Sequence, residues 1–113
     1  MTSGLAFVPL AITPTYSATK AALRSYTQSL RHLLKGSTVE VLELAPPAVQ
    51  TDLMPCSATN PNSMPLGAFI AETMGLLQAA ENPEILVERV KFLSNAERDG
   101  RYDAVFGMLN GSH

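Results

Sequence analysis

Cysteine is almost missing from this chain of 113 residues: there is one, Cys56. A lone thiol excludes an internal disulfide, and with only two scattered histidines it gives no zinc-ligand spacing. No metal site is therefore expected, and a reducing, cytoplasmic setting is. Charge is scarce too. Charged residues make up 16% of the chain, for a formal net charge of −2, where soluble domains usually sit near a quarter charged. A near-neutral, slightly acidic balance argues against a broad nucleic-acid-binding face. No apolar run approaches the roughly 20 residues that span a bilayer, so no membrane is expected as a partner. Met1 to Leu10 carries no Lys or Arg of the kind that opens a secretory signal. There are no internal repeats and no like-charge runs.

What remains is globular. A hydrophobic share of 46% is at odds with general disorder. The length allows one domain at most. So small a chain has much surface to cover, and with so little charge some apolar face wants a partner.

Along the chain the pattern alternates helix and strand. Thr13-Pro14 is a helix start: Thr can cap, and Pro fits the first helical position because its missing N–H would be unpaired there anyway. Gly36 is a stop, since glycine takes the left-handed conformation cheaply. The spacing predicts a helix over 13–35 with two faces. Tyr16, Lys20, Leu23, Thr27, Leu30 and Leu34 form one stripe. The small residues Ala18, Ala22, Ser25 and Ser29 form another, roughly opposite. Two such stripes predict packing on both sides; the bland alternative is chance use of Ala and Ser in a good helix.

Residues 39–45 (VEVLELA) read as a strand, β-branched at the start and stopped by Pro46-Pro47. Leu5 to Leu10 reads as the end of an earlier strand running into a loop. Pro55 to Pro65 is a loop by composition and long enough for a flap, within a 55–80 loop and helix region. Its helix carries Leu66, Phe69, Ile70, Met74 and Leu77 at helical spacing. Asn82-Pro83 predicts another helix with Ile85, Leu86, Val90 and Leu93. Tyr102, Val105, Phe106 and Leu109 predict a last short one, so that 83–109 is a helical tail. A helix followed by an apolar strand is half of a βαβ unit, which makes the class α/β.

Tyr16 and Lys20 are four apart at the head of a helix, one turn from each other on one face. A phenol, with a pKa of about 10, is a poor acid at neutral pH. A neighbouring ammonium favours the phenolate and makes such a group a proton donor or acceptor near neutrality. Ser3 adds a hydroxyl that can hydrogen-bond the same reacting oxygen. Taken alone, this Tyr-x-x-x-Lys spacing is also that of a common solvated surface pair. Its context is more specific: the filling Tyr-Ser-Ala-Thr-Lys-Ala-Ala, the serine thirteen positions upstream of the tyrosine, and the apolar strand ending in prolines.

In that order these features resemble the short-chain dehydrogenase/reductase family over essentially the whole chain. The turn Pro46-Pro47-Ala48-Val49-Gln50-Thr51 stands where the family has Pro-Gly-x-x-x-Thr. The tail segments 64–66, 85–93 and 100–103 are similar to a subgroup related to the oxidoreductase named for D-alanyl-lipoteichoic acid metabolism. The resemblance implies an NAD- or NADP-dependent oxidoreductase acting on a small carbonyl or alcohol substrate. It implies that Ser3 orients the substrate oxygen, that Tyr16 is the general acid or base, and that Lys20 favours the phenolate and bonds the nicotinamide ribose. Pro46, Val49 and Thr51 would lie against the cofactor, with Val49 offering backbone groups to the carboxamide. The family fold is a Rossmann-like doubly wound parallel sheet, of which 1–113 would be the C-terminal part. The family also places the tyrosine helix in a dimer interface, which implies a homo-oligomer through 16–35.

Two departures bear on function. Pro47 replaces the glycine of the turn, which removes an N–H and fixes φ. The family's first half has no counterpart: no Gly-x-x-x-Gly-x-Gly is present to bring a helix N-terminus to the pyrophosphate. The chain alone is therefore expected to be inactive, and to fold poorly or associate. The competing expectation is a truncated, inactive fragment acting only through helix association. Cys56 reads as an incidental loop residue, His32 as a surface residue, and Glu88, Arg89 and Lys91 as a solvated helix face with local pairing.

Overall fold

A computed structural model describes residues 1–51, 59–79 and 81–111. Cys56 and residues 55–58 of the expected loop lie outside the described residues.

Helix α1 spans Pro14–Leu33. Pro14 occupies its first turn, as the sequence predicts, but Thr13 does not cap it with its side chain. The Thr13 hydroxyl instead donates to the Leu10 carbonyl at 3.3 Å. At the other end Gly36 takes a φ of +91°, and the Lys35 and Ser37 amides bond back to His32 and Leu34 at 3.2 and 3.0 Å. A side chain at such a φ is strained by about 1–2 kcal/mol. Gly36→Ala is expected to cost about 1 kcal/mol, read as a lower urea midpoint.

Strand β1 (Glu43–Leu44) pairs in parallel with β2 (Glu84–Ile85), Glu43 opposite Glu84 and Leu44 opposite Ile85. On the other side of β1, the Thr2 amide donates to Leu44 and the Gly4 amide to Pro46, at 2.8 and 3.0 Å. Both partners advance by two residues in the same direction, which is a parallel pairing. The N-terminal run, β1 and β2 thus lie side by side with β1 central. Parallel neighbours need long crossovers: α1 supplies the first, and α2 (Leu66–Ala79) lies in the second. A 3-10 turn at Glu88–Val90, helix α3 (Lys91–Ser94) and helix α4 (Tyr102–Asn110) complete the order. The class is α/β. No helix among the described residues is long and apolar enough to cross a membrane.

Several expectations are corrected. The strand expected over 39–45 is unpaired over 39–42 and pairs from Glu43 on, because pairing begins where Pro83 and Thr2 reach it; Val39 and Leu42 are exposed. The strand end expected in Leu5 to Leu10 falls earlier, at Thr2 to Gly4, and Gly4–Ala6 is a 3-10 turn. Asn82-Pro83 opens a strand instead of a helix. The Asn82 side chain accepts from the Glu84 amide at 2.9 Å, turning the chain into β2, where alternation buries Ile85 and Val87. The helical tail therefore starts at Glu88. At the end of that tail Tyr102, Val105 and Leu109 of the expected stripe pack on Val8 and Ala96, while Phe106 is exposed.

Helix α2 turns a different face inward from that expected, and helix α1 is covered on one side where two were expected. Helix α2 has the expected start, but Leu66, Ile70, Met74 and Leu77 are exposed while Phe69, Thr73 and Leu76 face inward. A helix apolar on most sides carries little periodic information about its orientation. Helix α1 with its C-cap turns Ser17, Lys20, Arg24, Thr27, Leu30, Arg31 and Leu34 inward. Of the expected stripe Lys20, Thr27, Leu30 and Leu34 are covered while Tyr16 and Leu23 are exposed, and the small-residue stripe is exposed. Among the described residues only one of its sides is packed.

Candidate active site

Helix α1 carries Tyr16 and Lys20 in its first two turns. The Lys20 ammonium lies 5.5 Å from the centre of the Tyr16 ring. Opposite them, the chain leaving β1 is held from both sides. Pro46 accepts from Gly4, as above. Further on, the Gln50 amide donates to Met64 and the Met64 amide to Ala48, each at 2.8 Å. In this parallel bridge between Val49 and Met64, Val49 turns its own N–H and C=O away from Met64.

The result is an open cleft of about 640 Å³. Tyr16 and Lys20 line one side, and Pro46, Pro47, Ala48, Val49 and Thr51 line another; Leu66 and Phe69 from α2, with Met1, Thr2 and Ser63, complete it. Tyr16, Lys20, Pro46, Val49 and Thr51, singled out in sequence, all meet here. Among the described residues Lys20 is the only charged side chain in the lining. Lys20 thus brings a positive charge into a cleft whose walls are otherwise mostly apolar.

Ser3 is close in the chain but is not part of that lining. It is buried, and its hydroxyl oxygen accepts from the Leu5 amide at 3.1 Å, capping the 3-10 turn. Its neighbour Thr2 is the residue that reaches the cleft. Exposure also separates the incidental residues: His32 is exposed, and the Lys91 ammonium pairs with Glu88 at 3.0 Å on the surface.

One group beside the site escaped the sequence reading. Glu43 is among the largest fully buried side chains. Its carboxylate accepts from the Thr2 hydroxyl at 2.7 Å and pairs with the Arg24 guanidinium at 2.7 Å. Arg24 stands one turn beyond Lys20 on the same face, 3.6 Å from Glu84 and stacked 4.1 Å from the centre of the Phe7 ring. The signal was present: a carboxylate inside the apolar run VEVLELA needs a buried partner.

The family described as short chain dehydrogenase matches residues 1–61, which include Ser3, the Tyr16 helix and the turn after β1. A protein of Bacillus subtilis (strain 168) described as the uncharacterized oxidoreductase DltE is 43% identical over 115 aligned positions. That alignment covers 97% of this chain and 44% of the relative, so the chain spans less than half the relative's length. No solved structure matches significantly. With the matched stretch carrying the tyrosine, the lysine and the turn that share one cleft, the chain belongs to the short-chain dehydrogenase family.

Proposed function

We propose that residues 1–113 form the C-terminal, catalytic part of a cytoplasmic NAD- or NADP-dependent oxidoreductase that interconverts a carbonyl compound and an alcohol. In this reading the small parallel sheet is one side of a Rossmann-like doubly wound sheet. The observation that carries it is the meeting of Tyr16 and Lys20 with the 46–51 turn in one cleft.

The residues present fit the nicotinamide end of the cofactor. Val49 has an amide and a carbonyl directed away from its bridge partner, suited to a carboxamide's acceptor and donor. Lys20 is a donor for ribose hydroxyls. Thr51 and Pro46 lie along the same wall. The cofactor, when bound, supplies the hydride. Tyr16 gives its phenolic proton to the substrate oxygen as the carbon is reduced, and takes it back in oxidation. Lys20 provides positive charge beside that phenol. Ser3, which the family resemblance places on the substrate oxygen, is buried outside the cleft lining as the cap of the 3-10 turn, and this reading gives it no contact with substrate. No glycine-rich turn is in this sequence to hold the pyrophosphate, so the chain by itself is inactive in this reading.

The test is a chimera in which residues 1–113 replace the corresponding part of the Bacillus relative. The isolated chain should give no saturable change in NADH or NADPH fluorescence. The chimera should give one, and should reduce members of a ketone and aldehyde panel. A folded chimera that binds nucleotide and reduces none of them overturns the proposal.

The exposed stripe of Ala18, Ala22, Ser25 and Ser29 favours a second reading, association through α1. Small side chains let a second helix approach closely. In sedimentation, Ala22→Glu should shift the chain to monomer; an unchanged state removes that face from consideration.

A further inference from the structure

The connection between Ser3 and Tyr16 is short, and it is held from outside. Val8 is fully buried against Val105 of α4 and Ala96. Two residues on, the Leu10 amide donates to the Ser17 hydroxyl oxygen at 3.2 Å, which ties the connection to α1 itself. The remaining hold comes from the last residue of α4. The Asn110 side-chain oxygen accepts from the Ala11 amide at 2.6 Å, and its nitrogen donates to the Pro9 carbonyl at 3.1 Å. The same nitrogen donates to Phe106 within its own helix at 3.0 Å, which fixes the orientation of the side chain. One carboxamide thus serves a backbone acceptor and a backbone donor two residues apart, as a neighbouring strand would.

We propose that Asn110 is a positioning residue for the site: it sets where α1 begins relative to the Thr2–Ser3 run. This rests on the oxidoreductase reading above. The Ala11 contact is at the surface, where a single hydrogen bond contributes only about 1 kcal/mol. Its value is therefore geometric. A general acid must stand within about 2.6–3.2 Å of the atom it protonates. The phenol of Tyr16 keeps that distance to a substrate held between α1, Thr2 and the 46–51 wall only if the connection leading into α1 keeps a single conformation. Aspartate at 110 keeps the acceptor for Ala11 and loses the donor to Pro9. Alanine loses both.

The experiment has two readouts. On the chain itself, amide hydrogen exchange at Ala11 is followed in wild type, Asn110→Asp and Asn110→Ala. Protection should fall at least tenfold in the alanine variant and less in the aspartate variant, with protection in the middle of α1 unchanged. Equal protection in all three overturns the clamp. In the chimera, Asn110→Ala should lower kcat about tenfold at unchanged KM for nucleotide and carbonyl, and Asn110→Asp should restore part of it. A fully active alanine variant that has lost Ala11 protection overturns the positioning role. So does a parallel loss of kcat and protection throughout α1, since that is general unfolding. A wild-type chimera without turnover removes the oxidoreductase reading, whereas exchange at Ala11 still decides whether the clamp exists.

Discussion

Arg24→Met is expected to destabilise the chain by about 3–5 kcal/mol, the range for breaking a buried ion pair by removing one partner. The magnitude follows from the asymmetry of the pair. Arg24 keeps a fifth of its side chain exposed, whereas the Glu43 side chain is 1% exposed. Without the guanidinium, the buried Glu43 carboxylate keeps the Thr2 hydroxyl and loses its countercharge. Glu43→Gln should cost less, because an amide still accepts from Thr2 and leaves no buried charge, and because Arg24 keeps Glu84 nearby. Replacing both residues by methionine should recover much of the loss, since apolar pairs of similar volume often substitute well for buried ion pairs. Urea unfolding of the four proteins checks the order. Equal midpoints for wild type and Arg24→Met would mean that the pair contributes nothing. Total stabilities of about 5–15 kcal/mol make the expected loss a large share of the whole.

Tyr16→Phe is expected to lower carbonyl reduction by the chimera about 10²–10⁴-fold, the usual contribution of a positioned acid or base. That corresponds to about 3–5 kcal/mol of transition-state stabilisation. The substitution removes one oxygen and keeps the ring over which Lys20 lies. Tyr16 is 44% exposed, and surface changes of this kind usually stay within about 0.5 kcal/mol of stability. Unfolding and nucleotide binding should therefore be unchanged while turnover collapses. Retained turnover would assign the proton to another group.

What could be read in advance depended on whether a signal was local. Helix α1 was legible because Pro14 and Gly36 act through their own φ angles, with no help from the rest of the fold. The gathering of Tyr16, Lys20, Val49 and Thr51 was legible through the family resemblance, since the Tyr16–Lys20 spacing alone is also that of a surface pair. The extent of β1 was not, since a strand is defined by what lies beside it, and Val39 and Leu42 have the composition without the neighbour. Residues 84–87 were misread as helix because a short apolar run fits either period. The orientation of α2 was hidden by its own hydrophobicity. Arg24 was overlooked for the opposite reason: a charge on a helix is ordinarily solvent-facing, and only the carboxylate in β1 gave its partner away.

The hold of Asn110 on Pro9 and Ala11 bridges 101 and 99 residues of sequence. Contacts of such separation are slow to form, because the intervening chain must be ordered before they contribute. During synthesis the entry to α1 cannot be secured until residue 110 has been made and has left the ribosome. The helix itself can form far earlier from its own propensities. The segment leading to Tyr16 is thus fixed by a residue made about a hundred positions after it, and its final placement waits on that later synthesis.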